Sequence, residues 1–202
     1  MNIIKNQIFA AIAILGCLLL VTLTSTIQAQ EVRSRTGFGY YNPRIGGDTG
    51  NIFYTDVTIK LSTNFFVGAG FGLSDVFTSY GDEVPLFEGF RTIRNYYHFR
   101  LVIDKELYLD TNERHIINVG TGLTYIQLRF AEPVVRLNQS AGELRVGLNE
   151  SNREQDDAGM LLHAGYGYRV GKFILGFRSE LHFLLDIGLG GVIVSPQISL
   201  AL

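Results

Sequence analysis

One cysteine, Cys17, and no tryptophan occur in the 202 residues. Cys17 sits inside an apolar N-terminal run, so once that run is removed the chain has no thiol for a disulfide or a thiolate metal site. Basic excess is lacking too. Leaving aside Lys5, the 16 lysines and arginines face 19 aspartates and glutamates, which gives no electrostatic case for nucleic acid. Helical periodicity is also missing: after Gln30 no stretch keeps apolar residues at helical spacing for three turns. What remains is a chain that must fold through strands and hold itself together without covalent crosslinks.

The first thirty residues have the three-part layout of a secretory signal. Lys5 precedes an apolar run from Ile8 to Leu23, followed by smaller and polar residues ending Thr26-Ile27-Gln28-Ala29. Cleavage is expected after Ala29, dividing the chain into a signal peptide, 1–29, and one domain, 30–202. Two other readings apply to the same run. A retained helix would need about 17 to 25 apolar residues. Lipid anchoring through Ile14-Leu15-Gly16-Cys17 is opposed by Leu18 to Leu23, which continue the apolar run where a processed lipoprotein turns polar.

Period-two alternation fills the rest. Phe53, Val57, Ile59 and Leu61 fall on one face, against Tyr54, Asp56, Thr58 and Lys60 on the other. Phe65, Val67, Ala69, Phe71 and Leu73 oppose Gly68, Gly70, Gly72 and Ser74. Further alternating runs are Tyr96 to Leu109 and Phe173 to Leu184, with four less regular ones at Val32 to Tyr41, His115 to Phe130, Gly159 to Val170 and Val192 to Leu202. Pro196 cannot donate a ladder hydrogen bond, which predicts a bulge or weak pairing in the last strand. The connections alternate in length: tight at 62–64, 110–113 and 171–172, longer at 42–51, 79–94, 131–158 and 186–191. These features predict an all-β fold, an eight-stranded antiparallel up-and-down transmembrane β-barrel with its short turns and both termini at one end.

Charge decides which face meets lipid. Arg33, Arg35, Asp56, Lys60, Arg100, Asp104, Glu106, Arg169, Arg178 and Glu180 fall on the glycine-rich face, while the opposite face is almost free of charge. An uncharged band of Leu, Phe, Ile, Val and Tyr repeated around every strand is an aggregation surface in water and suits hydrocarbon. The ten charged residues are therefore expected to form a paired network in a lumen just wide enough to be filled by side chains. Tyr40, Tyr97, Tyr125, Tyr166 and Tyr168 are candidates for interfacial girdles.

This pattern resembles the small outer-membrane barrels of the OmpA/OmpX type. The leader end Gln28-Ala29-Gln30 resembles those of Bacteroidota barrel proteins, and Ile198, Leu200 and Leu202 partly match the family's C-terminal assembly signal, with Leu202 where an aromatic residue is usual. The resemblance implies a monomer in the outer membrane of a Gram-negative bacterium. Its implied partners are outer-membrane lipid, lipopolysaccharide and, during insertion, the barrel-assembly machinery.

Motifs for chemistry are thin. His98, His163 and His182 share the inner face with no metal-ligand spacing, so hydrogen-bonded lumen residues are expected and neither metal nor cofactor. Ser179, Glu180 and His182 come nearest to a lipid-hydrolase set, but alternation puts Ser179 on the lipid face. The expectation is a non-enzymatic barrel presenting 79–94 and 131–158 outward to an extracellular ligand, for adhesion or envelope integrity. A small-solute, porin-like channel and an outer-leaflet lipid-modifying enzyme are the alternatives.

Overall fold

Eight strands follow one another in the order of the alternating segments. They are β1 (Val32–Asn42), β2 (Gly50–Ser62), β3 (Phe65–Tyr80), β4 (Phe90–Tyr108), β5 (His115–Ser140), β6 (Glu143–Val170), β7 (Phe173–Leu184) and β8 (Gly188–Ala201). The computed structural model describes residues 31–43, 48–80, 90–140, 143–186 and 188–202, with 78–80, 90–92, 132–140 and 143–150 described by backbone alone. The proposed leader lies outside the described residues.

Each strand pairs antiparallel with its neighbours in sequence, and β1 pairs with β8, closing the barrel. Closure leaves no unpaired edge in hydrocarbon, where an orphaned backbone group costs several kcal/mol. The tight turns, the start of β1 and the end of β8 share one end of the barrel: Leu202 donates its N–H to the Val32 carbonyl at 2.8 Å, and Ala201 to the Lys172 carbonyl at 2.9 Å. The turn after β4 is fastened by the Asp110 carboxylate, which accepts the His115 N–H at 2.8 Å. That bond holds the Asp110 carboxyl below the usual carboxylate range.

Two expectations are refined. The connection 131–158 is mostly strand: β5 and β6 pair in unbroken register from His115↔Tyr168 to Ser140↔Glu143. An antiparallel hairpin satisfies its own inner ladder, so this segment needs no barrel wall to remain extended. Pro196 produces weak pairing and no shift in register. The β1–β8 ladder runs to Gly37↔Gln197 and resumes at Tyr40↔Val194, while Pro196 still lies opposite Phe177 on β7.

The outer face carries Phe38, Phe53, Val57, Phe77, Ile103, Leu123, Met160, Leu175 and Ile198, each more than 45 % exposed. On β4 this face is uncharged between Lys105 at the turn end and Asn95 at the loop end. At about 3.3 Å per residue and a tilt near 40°, that stretch spans on the order of 25 Å, the height of a bilayer-matched band. Tyr40, Tyr97 and Tyr125 lie toward its loop end, Tyr166 and Tyr168 toward its turn end.

Inside, glycines make room for the larger polar groups. A Cβ on Gly37 would run into the Tyr54 ring, and one on Gly70 into the Asp56 carboxylate. Gly70→Ala is expected to displace Asp56 and destabilise the barrel by about 1 to 3 kcal/mol. A lowered urea midpoint for the folded, heat-modifiable form checks this; an unchanged midpoint contradicts it.

Candidate functional site

The lumen is built in layers set by strand parity. At the turn end Arg33 pairs with Glu106, and its guanidinium lies 4.1 Å from the Phe66 ring centroid. Tyr108 donates its hydroxyl to the same glutamate at 2.9 Å. One step inward, Arg35 meets Asp104 at 2.8 Å, and His163 Nε2 lies 2.6 Å from that aspartate.

The middle layer is the densest. Arg100 reaches Asp56 at 2.6 Å and both oxygens of Glu180 at 2.7 and 2.9 Å. Arg178 bridges the same two acids, at 2.8 Å to Glu180 and 3.3 Å to Asp56. The Arg100 guanidinium stacks 4.4 Å from the Tyr54 ring centroid, and Ser195 donates to the Tyr54 hydroxyl at 3.0 Å. These two arginines and two acids have fully buried side chains, so each charge is compensated by its neighbours and not by bulk water.

Toward the loop end polarity gives out. His182 sits 3.1 Å from Glu180, and His98 contacts both the His182 ring and the Ser74 hydroxyl, the latter at 2.8 Å. Above them Tyr41, Ile52, Val76, Tyr96, Ile126, Leu128, Leu184 and Ile193 pack into one buried cluster. A cavity of about 10 Å³ lies beside Arg33 and Arg35, and one of about 20 Å³ lies at the loop end, between Tyr41 and Tyr96 and residues Gln155 to Asp157. Spaces of that size hold about one water molecule.

Of the ten charged residues placed inside by sequence, Arg33, Arg35, Asp56, Arg100, Asp104, Glu106, Arg178 and Glu180 are buried: four guanidinium groups against four carboxylates. Lys60 and Arg169 stand at the turn-end rim. The Lys60 ammonium lies 5.8 Å from the Phe66 ring centroid, and Arg169 pairs with Glu113 at 3.2 Å. His98, His163 and His182 each have a polar lumen partner. Ser179 lies opposite Ala164 and Val194, on the outward parity relative to Glu180 and His182. Sequence reasoning put Tyr54 on the inner face without a role there, and missed the polar struts Ser195 and Gln197 and the apolar cluster. Their inward parity was available in the same alternation, but without charge they carried no contrast with the lipid face.

A charge-paired, side-chain-filled lumen inside an uncharged exterior gives this chain the fold of the small outer-membrane β-barrels of the OmpA/OmpX type. Among solved structures, the attachment invasion locus protein Ail of Yersinia pestis, in complex with the heparin analogue sucrose octasulfate, is similar at 10 % identity and a TM-score of 0.53, over 86 % of this chain and 99 % of that one. Neisserial surface protein A is similar at 11 % identity and 0.53, over 86 % and 97 %. OprG, an outer-membrane protein of Pseudomonas aeruginosa, follows at 13 % and 0.51, over 86 % and 94 %. At these identities the likeness is one of fold. No family model matches the sequence, and no curated protein matches it.

Proposed function

We propose that this chain is a non-enzymatic, non-conducting barrel that anchors in the outer membrane after loss of residues 1–29 and presents its outer loops, above all the β5–β6 hairpin, to an extracellular partner. The observation that carries this reading is a contrast within one molecule. The lumen is filled from Glu106 to Tyr41, whereas β5 and β6 continue past the last residues that pair with β4 and β7, Arg129 and Gly159. Chain invested outside the wall, with none left open inside it, favours presentation over transport.

The likeness to Ail, an attachment invasion locus protein, supports interaction as the class of function. Lipid and lipopolysaccharide surround the band, and the assembly machinery inserts it. The lipid-enzyme alternative is disfavoured because Ser74, hydrogen-bonded to His98, is itself buried under the Tyr41–Tyr96 cluster. A nucleophile there has no room for an acyl chain.

Deleting residues 138–152 tests the reading. Cells carrying the shortened protein are expected to lose attachment to surfaces or other cells, while the barrel keeps its heat-modifiable migration. In planar bilayers the purified intact barrel is expected to show no sustained openings. Nanosiemens-scale conductance would establish the channel alternative instead.

A further inference from the structure

We propose that the lipid-facing rim at the turn end, from β3 to β7 and centred on Lys105, is a binding surface for anionic phospholipid headgroups. The inference stands whatever the hairpin presents.

On β4, Ile103, Lys105 and Leu107 alternate outward and all three are exposed, so Lys105 shares its face with lipid-facing residues. Its neighbours across the two ladders are Phe65 on β3 and Val119 on β5, both apolar and exposed. The Lys105 ammonium lies 5.4 Å from the Phe65 ring centroid, and among the described residues no carboxylate pairs with it. A lysine at the edge of hydrocarbon lays its stem along apolar surface and carries its charge to the level of the headgroups. There a lipid phosphate is the counter-charge that the protein itself does not supply.

The rest of the rim has the same bias. Arg114 and Lys172, in the turns after β4 and β6, are exposed and have no acidic partner among the described residues. The acids at this end are already engaged: Glu106 by Arg33 and Tyr108, Asp110 by the His115 N–H, and Glu113 by Arg169. Cations are therefore left over where acids are not. Beyond Lys5 the lysines of the chain are Lys60, Lys105 and Lys172, and all three lie in the turn-end half of the barrel.

Polar aromatic groups occupy the arc between these cations. On β5 and β6, His115 Nδ1 lies 2.6 Å from the Tyr166 hydroxyl, and the His115 ring centroid 5.0 Å from that of Tyr168. Such amphipathic rings belong at headgroup level, where the ring meets hydrocarbon and the polar edge meets ester and phosphate oxygens. At the opposite edge of the band the outward residues of β3 and β4 are Asp75 and Asn95, paired across the ladder, with no cation at that level. Anionic lipid is thus favoured at the turn end and repelled beside Asp75. A zwitterionic headgroup brings its own cation and gains little from an unpaired ammonium, so net charge selects the lipid.

The test uses the full barrel in phosphatidylcholine vesicles containing trace spin-labelled phosphatidylglycerol or spin-labelled phosphatidylcholine. Electron spin resonance reads the fraction of each label immobilised at the protein surface. The barrel is expected to favour the anionic label about two- to fivefold, with the preference shrinking at high salt. Lys105→Gln combined with Lys172→Gln, both at exposed sites, is expected to keep heat-modifiable migration and bring the ratio to about one. Arg153→Gln, on the hairpin, is expected to leave the ratio unchanged. Equal immobilisation of the two labels by the unaltered barrel, or a preference that survives the double substitution, overturns the proposal. Release of the anionic label by glycerol phosphate at constant ionic strength also overturns it, since the rim would then bind soluble phosphate and not lipid.

Discussion

Arg100→Met is expected to destabilise the folded barrel by about 3 to 5 kcal/mol, the cost of leaving a buried ionic partner uncompensated. Arg100 makes the shorter contacts to Asp56 and Glu180, at 2.6 and 2.7 Å, with no solvent to take over its role. In its absence Arg178 is left to bridge both carboxylates, with Arg35 no nearer than 3.9 Å to Asp56. Combining Arg100→Met with Glu180→Gln restores the balance, because Arg178 and Asp56 remain as a pair at 3.3 Å. The double variant is therefore expected to recover most of the loss, giving a coupling well beyond additivity. Urea titration of the heat-modifiable form in liposomes reads both effects. A single variant that unfolds at the wild-type midpoint would mean that the network contributes nothing.

Leu123→Arg is expected to cost about 2 to 4 kcal/mol, whereas Gln127→Arg, near the loop-end rim, is expected to cost about 0 to 1. Leu123 is 48 % exposed and lies opposite Leu101, midway along the uncharged band. On a water-facing surface an arginine at such a site is nearly neutral, so a depth-dependent penalty reports lipid. Two small and equal effects would place this face in water.

The same alternation that makes these sites predictable explains how much of the molecule was legible beforehand. Strand number, closure and the turn-end position of the start of β1 and the end of β8 follow from period-two patterning and from connection lengths. Charge then told the faces apart, because within the membrane-height band an arginine or carboxylate is costly on the lipid face and turns inward. Where charge was absent, so was the contrast. Ile52, Val76 and Ile193 alternate as cleanly as Asp56, yet nothing in their side chains distinguishes a lumen plug from a lipid contact. Only the closed ladder settles it.

The hairpin was legible only in part, from the weak alternation of Val134 to Leu137 and Glu143 to Val146, which could extend it above the membrane. Residues 131–158 are polar and carry Pro133, features that read as loop, and the strands persist because pairing partners within one hairpin lie close in sequence whatever their hydrophobicity. Specific partners of the lumen acids were also out of reach. Asp56 contacts Arg100 and Arg178 across 44 and 122 residues of sequence, separations that depend on strand stagger around the barrel.

Cysteine labelling on intact cells tests the central claim most directly. In a Cys17→Ser background, Leu123→Cys and Asn152→Cys each supply one thiol, at sites that are both exposed on the protein surface. The account predicts that a membrane-impermeant maleimide labels Asn152→Cys and leaves Leu123→Cys unreacted until the membrane is dissolved and the barrel unfolded. Labelling of both thiols at the same rate in the native protein would contradict it, since lipid is the one cover that Leu123 has.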